Sequence, residues 1–320
     1  MPNGLLLIDK PIGLRSTECV ARIKRFFGRN VRVGHAGTLD STASGLLIVL
    51  LGAATRLSDY VMKLPKTYEA IVKLGVATDT GDASGQIVFR GDAAKVNAAL
   101  FDRALCSFWG MRMQRPPEIS ALKIAGKASH RAARAGEEVE HMPRPVLMTS
   151  VRRFLPLANG ETGICIRCGK GTYVRSIVRD IGNLLGCGAH VVELRRLSTG
   201  PFRVQDACLP EELGSRYENS LCSMRRIGDL FHRVALTDDA ERRLGNGLCT
   251  RLSAAGSYIA GTIPLESGLY VEGKSMIGFA DIIYGGQDGD EKEPAGDVAY
   301  LRPRANIFDG NGPPAAEERA

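Results

Sequence analysis

A chain of 320 residues with 44% hydrophobic and 24% charged side chains can bury one large core, or a large domain and a small one. No run reaches the ~18 apolar residues of a membrane span, and the start Met1-Pro2-Asn3-Gly4 lacks a charged leader and cleavage site, so a cytoplasmic protein is expected. The net charge of +7 suits a polyanionic partner, and eight scattered cysteines point to reduced thiols rather than a disulfide framework.

Along the chain, Leu5 to Ile8 reads as a short buried strand, and Ser16 as the N-cap of a helix carrying Val20, Ile23 and Phe27 before Gly28. A glycine-rich loop, Gly34 to Asp40, follows. Gly45 to Leu51 is an apolar run, and Tyr68 to Leu74 alternates so that Tyr68, Ala70, Val72 and Leu74 share one strand face. Asp92 is placed to cap a helix running to about Cys106. The stretch from Arg112 to Pro145, rich in Pro, Gly and basic residues, reads as an excursion from the scaffold. Gly163 to Cys168 alternates as a strand, and Val174, Ile177, Val178, Ile181, Leu184 and Leu185 form a helical stripe ended by Gly186, with Arg175 near its start. From about Arg233 a short helix, Asp238 to Leu244, and brief apolar segments indicate a small, mostly β module, while the tail after Phe308 has nothing to bury.

By local sequence Asp40 is a turn aspartate, a residue that ordinarily caps backbone or faces water. Its company changes the reading. Leu7-Ile8-Asp9-Lys10-Pro11-Ile12-Gly13, Gly34-His35-Ala36-Gly37-Thr38-Leu39-Asp40, Lys66-Thr67-Tyr68, Thr78-Asp79-Thr80-Gly81-Asp82, Gly169-Lys170-Gly171-Thr172-Tyr173-Val174-Arg175 and Gly186 to Leu197 together resemble, in order and spacing, the TruB family of tRNA pseudouridine synthases. The resemblance runs from Gly4 to about Phe202.

The resemblance implies an α+β pseudouridine-synthase fold, a mixed and mostly antiparallel sheet flanked by helices, with residues 1–230 catalytic and 231–308 a PUA-like RNA-binding module. It implies that Asp40 attacks the target nucleotide, that Arg175 pairs with it and keeps it ionised, and that Tyr68 stacks on the flipped uracil beside the C5 proton. His35 corresponds to the histidine inserted into the RNA and Leu194 to an apolar wall. Lys10 falls in the first motif and is expected to touch substrate. Breaking N1–C1′ and rejoining through C5 is an isomerisation without redox change, so no cofactor is expected. The substrate is tRNA, bound through its T arm with uridine 55 as the target, by a monomer needing no protein partner.

Within the excursion, Lys123, Lys127, His130, Arg131 and Arg134 occur with no acid from Leu122 to Ala135, which suits RNA phosphates as well as a solvated face. In the family this region is a thumb over the T arm, here 112–145, and Lys123, Lys127 and Arg131 are the expected RNA contacts; Ile119 and Ala128-Ser129-His130 depart from its usual pattern. Cys165-x2-Cys168 with Cys187-x2-His190 has zinc-like spacing. On a strand, however, Cys165 and Cys168 point to opposite faces, so core thiols and no metal are expected. Asp79, Asp82 and Ser84 read as a polar turn. Two other functions remain open: an RNA-binding tRNA-folding chaperone, and a family member acting on another RNA.

Overall fold

The computed structural model describes residues 2–117, 142–284 and 298–308, together with the backbone of 123–124 and 127–128. A ten-stranded sheet dominates. In spatial order its main path runs Leu221–Cys222, Gly4–Lys10, Ala43–Leu51, Ala189–Thr199, Lys66–Leu74, Glu161–Cys168, Arg144–Arg153 and Gly110–Gln114. Neighbours are antiparallel except Ala43–Leu51 and Ala189–Thr199, which run parallel with Leu194 opposite Ala43 and Arg196 opposite Gly45.

The apolar runs make the adjoining strands Gly4–Lys10 and Ala43–Leu51 two-sided. Leu46, Ile48 and Leu50, with Leu5 and Leu7, enter one core, while Leu47, Val49 and Leu51, with Leu6 and Ile8, enter another on the opposite face. At about 2 kcal/mol for each fully buried aliphatic side chain, these strands anchor the sheet from both sides. The helix Ser16–Phe27 covers the second core through Cys19 and Ile23. A third core, on the far half of the sheet, joins Ala70, Val72 and Leu74 to Ile177, Val178 and Ile181 of the helix Val174–Leu184, as the predicted stripes require.

Three expectations need correction. Ser16 does not cap its helix; its buried hydroxyl donates to Leu39 O (2.8 Å) and accepts from Leu39 N (2.9 Å), fastening the helix start to the Asp40 loop. The helix expected from Asp92 is Ala98–Cys106, capped by Asn97, whose carboxamide oxygen accepts from Leu100 N at 2.9 Å. Asp92 instead closes a local turn on Ala94 N. The ends of the Arg112–Pro145 stretch are not outside the scaffold, since Gly110–Gln114 and Arg144–Arg153 pair with each other at the sheet edge.

Beyond it a six-stranded sheet runs in the order Thr250–Arg251, Ala299–Phe308, Met276–Tyr284, Leu269–Glu272, Arg233–Leu236 and Gly256–Ile259. It shares the first core with the large sheet through Tyr270, Ile277, Phe279 and Ile307. Tyr60 stacks on Phe279 with ring centroids 3.5 Å apart. Among the described residues no helix is long and apolar enough to cross a membrane.

Candidate active site

The parallel strand pair positions the site. Because Ala43 lies opposite Leu194 and Leu194 opposite Ala70, one leucine is flanked by two alanines, and the missing side-chain volume leaves a hollow. A cavity of about 290 Å³ opens there, lined by Asp40, Tyr68, Leu194, the Gly169–Thr172 loop and the start of the helix Val174–Leu184. Its ionisable wall is mostly cationic, with Lys66, Lys170, Arg175 and Arg196 against Asp40.

Asp40 and Arg175, 135 positions apart in sequence, meet here: Arg175 Nη2 lies 2.8 Å from Asp40 Oδ2. The arginine side chain is 6% exposed and the aspartate 41%, so the carboxylate faces the opening while its cation is held behind it. Arg175 Nη1 donates to Thr80 O at 2.7 Å, and Nε lies 4.0 Å from Asp82 Oδ2. A guanidinium in the first turn of a helix sits at the end where the dipole disfavours cations. Two carboxylates and a carbonyl offset that cost.

Asp82 is the site residue that the turn reading missed. Its carboxylate accepts from Ser84 Oγ (2.6 Å), Ser84 N (3.0 Å), Thr80 Oγ1 (2.8 Å) and Thr42 Oγ1 (3.1 Å). Burial pushes its pKa upward, but the hydrogen bonds from Ser84 and Thr80 and the nearby Arg175 outweigh it, so Asp82 titrates below the ordinary aspartate value. The signal was the spacing Thr80-x-Asp82-x-Ser84, a carboxylate flanked by hydroxyls able to satisfy it. At Gly81 the backbone has φ +71°, and an added Cβ would lie 3.5 Å from Arg175 Cβ, so the turn closes directly over the arginine.

The helix bearing Arg175 is fixed at its start. Gln114 receives Tyr173 N on Oε1 (2.8 Å) and donates through Nε2 to Tyr173 O (3.1 Å), while Ser176 Oγ donates to Arg115 O (2.9 Å). Tyr68 pairs across the sheet with Arg196. Burial raises the Tyr68 pKa, opposed by the adjacent Arg196. Arg196 is itself buried, donating from Nε to Leu46 O (2.6 Å) and from Nη2 to Gly37 O (3.1 Å), and so ties the Asp40 loop to the sheet. Gly45 allows this approach, since a Cβ there would fall 2.2 Å from Arg196 O. Lys66 donates to the carbonyls of Leu64 (2.7 Å) and Met62, and burial pushes its ammonium down to about 7.

The remaining sequence candidates separate. His35 lies on the short strand Val33–His35 outside the cavity lining, its buried Nδ1 without a hydrogen-bond partner among the described residues, and burial lowers its pKa. Lys10 is fully buried, and its ammonium donates to Pro11 O (2.9 Å) and Leu14 O (2.8 Å). That placement makes it a brace for the turn after the first strand. The side chains of Lys123, Lys127 and Arg131 lie outside the described residues. Cys168 points into the third core, Cys165 does not, and His190 Nδ1 lies 2.9 Å from Val76 O. Among the described residues no group of three or more His, Cys, Asp or Glu is placed to hold a metal ion.

Comparison with known proteins gives two matching family models, the TruB family pseudouridylate synthase N-terminal domain over residues 24–174 and the tRNA pseudouridylate synthase B C-terminal domain over 175–227. Similar curated relatives include the tRNA pseudouridine synthase B of Corynebacterium aurimucosum, 38% identical over 77% of this chain and 83% of that one. That of Syntrophotalea carbinolica is 39% identical over 84% and 87%. Among solved structures, a Cbf5-Nop10-Gar1 complex matches with TM-score 0.69 and 23% identity, over 96% of this chain and 85% of the other. At that identity the likeness is one of fold.

Proposed function

The chain belongs to the TruB family of pseudouridylate synthases and is a tRNA pseudouridine synthase, and from that premise we propose that it isomerises uridine 55 in the T loop of tRNA with Asp40 as nucleophile. The observation that carries this reading is the Asp40–Arg175 pair at the mouth of a base-sized, cation-lined cavity. A half-exposed carboxylate can reach the nucleotide it attacks, and the buried guanidinium beside it fixes its position.

In this scheme the target base leaves its stack, at a cost of a few kcal/mol, and enters against Leu194 and Tyr68. Asp40 attacks the nucleotide, the N1–C1′ bond breaks, the uracil turns and rejoins through C5 as Asp40 is released, and the C5 proton is lost while N1 takes one up. Tyr68 stacks on the base near C5, where the displaced proton must leave. His35 fills the place of the departed base. The heavy atoms of uridine are all retained and no oxidation state changes overall, so the chemistry calls for no cofactor and no metal.

Residues 1–230 form the catalytic part, with the thumb-like 112–145 segment and its Lys123, Lys127 and Arg131 over the T arm, and 231–308 serve RNA contact. The protein acts as a cytoplasmic monomer. Purified protein incubated with unmodified tRNA, then probed by carbodiimide and primer extension, should give one stop at uridine 55. Binding without product, or product at another position only, would sink the assignment.

A further inference from the structure

The densest run of cations among the described residues lies outside the cavity. Arg22, Lys24, Arg25, Arg29 and Arg32 fall within eleven residues, and no acid occurs between Glu18 and Asp40. Arg22 is neutralised by Glu211 at 2.8 Å. Lys24, Arg25, Arg29 and Arg32 are exposed, and among the described residues their side chains have no hydrogen-bond or ion-pair partner. The helix dipole accounts for Lys24 and Arg25, which sit in the last turn of Ser16–Phe27. It does not account for Arg29 and Arg32, which follow the helix and add like charge beside Lys24 and Arg25.

Two contacts place this ridge beside the site. The helix starts at the catalytic loop, where Ser16 holds Leu39, and Lys24 and Arg25 stand about 12–14 Å further along its axis. Arg32 precedes His35 by three residues of extended chain, about 10 Å. The core that the helix covers also packs against Tyr68 and Leu194, so helix and cavity occupy one face of the sheet. A cavity of about 290 Å³ admits one nucleoside, and the rest of the RNA must lie across the surface around it.

We propose that Lys24, Arg25, Arg29 and Arg32 form a phosphate-binding ridge for the double-helical stem of the RNA whose loop enters the cavity. This rests on the tRNA reading above. Four phosphates neutralised there would release counterions and make binding steeply salt-dependent. The ridge positions the stem and carries no base readout.

The test is a variant with K24Q, R25Q, R29Q and R32Q, all at exposed positions, compared with wild type by circular dichroism melting to verify folding. Binding of three RNAs is measured across salt: full-length unmodified tRNA, the T-arm stem-loop, and a single-stranded oligomer of the loop alone. The expected result is at least about ten-fold weaker binding of the two stem-containing RNAs near 0.1 M salt, with the log–log salt slope shallower by about 3. Loop-only binding and kcat at saturating tRNA stay within about two-fold. Unchanged affinity and slope, an equal loss for the loop-only oligomer, or a loss confined to kcat would each overturn the proposal. Pseudouridine formation by the wild type on the same tRNA is scored separately, so a failed function and a failed ridge give different results.

Discussion

Replacing Arg175 by lysine tests the geometry of the site without removing its charge. The guanidinium serves three directions at once: Nη2 to Asp40 at 2.8 Å, Nη1 to Thr80 O at 2.7 Å, and Nε towards Asp82 at 4.0 Å. A lysine ammonium is a compact point charge on a flexible stem and cannot span that fork. If R175K keeps the Asp40 contact, it gives up the Thr80 hydrogen bond and the Asp82 attraction; if it keeps those, Asp40 loses its partner. A hydrogen bond to a charged group contributes about 1.5–3 kcal/mol, so a loss of about 2–3 kcal/mol in positioning Asp40 corresponds to a kcat lower by about 30- to 160-fold. KM for tRNA should stay within about three-fold, because phosphate contacts elsewhere dominate binding. Single-turnover tritium release from C5-labelled tRNA measures this, with a thermal melt to verify folding. R175K turning over within two-fold of wild type would show that charge alone suffices and refute the fork argument.

Lys66 supplies a pH test. Its folded pKa of about 7 lies below the unfolded lysine value, so the unfolded chain binds more protons between these limits and stability should rise with pH from about 7 towards 10. K66M, similar in volume, should flatten that rise by up to about 1 kcal/mol per pH unit in urea titrations at pH 7.5 and 9; parallel slopes would show that the ammonium is not held unfavourably. Asp82 has the opposite chemistry and a depressed pKa. Its contribution is complete above the unfolded aspartate value near 3.9 and fades as pH falls through the lower folded value, so D82N should lose acid-limb steepness in a pH–melting series. G45A should cost about 3 kcal/mol or more in urea unfolding, since φ is +100° and the Cβ would fall 2.2 Å from Arg196 O; a cost under 1 kcal/mol would show that the strand yields.

Much of the scaffold could be read from periodicity because its strands are two-sided or cleanly alternating. Leu46 to Leu51 and Ala70, Val72 and Leu74 enter the cores their spacing indicates. Ends were harder, because Ser16, Asp92 and Asn97 are all plausible caps: Ser16 is taken up by Leu39, 23 residues on, and Asp92 by a turn to Ala94 N that competes with capping. The sheet edge was hidden for a related reason: Gly110–Gln114 and Arg144–Arg153 leave many side chains exposed, so their apolar pattern is weak. At the site, the resemblance named Asp40, Tyr68 and Arg175, and a loop, a strand and a helix start bring them to one cavity. Asp82 and Arg196 escaped notice because their roles are made by long-range contacts, to Arg175 and to Gly37 and Leu46. The carbonyl contacts of Lys10 were not legible, because a buried lysine bonded to carbonyls and a lysine on RNA look alike in sequence.

The central claim is that Asp40 performs the chemistry while other groups hold the RNA. D40N changes one oxygen to an amide nitrogen at a half-exposed position and should leave the fold intact. Equilibrium binding and pseudouridine formation measured on the same preparation with unmodified tRNA decide it. The expected result is a Kd within about three-fold of wild type and no detectable product at uridine 55. Product formed by D40N would contradict it.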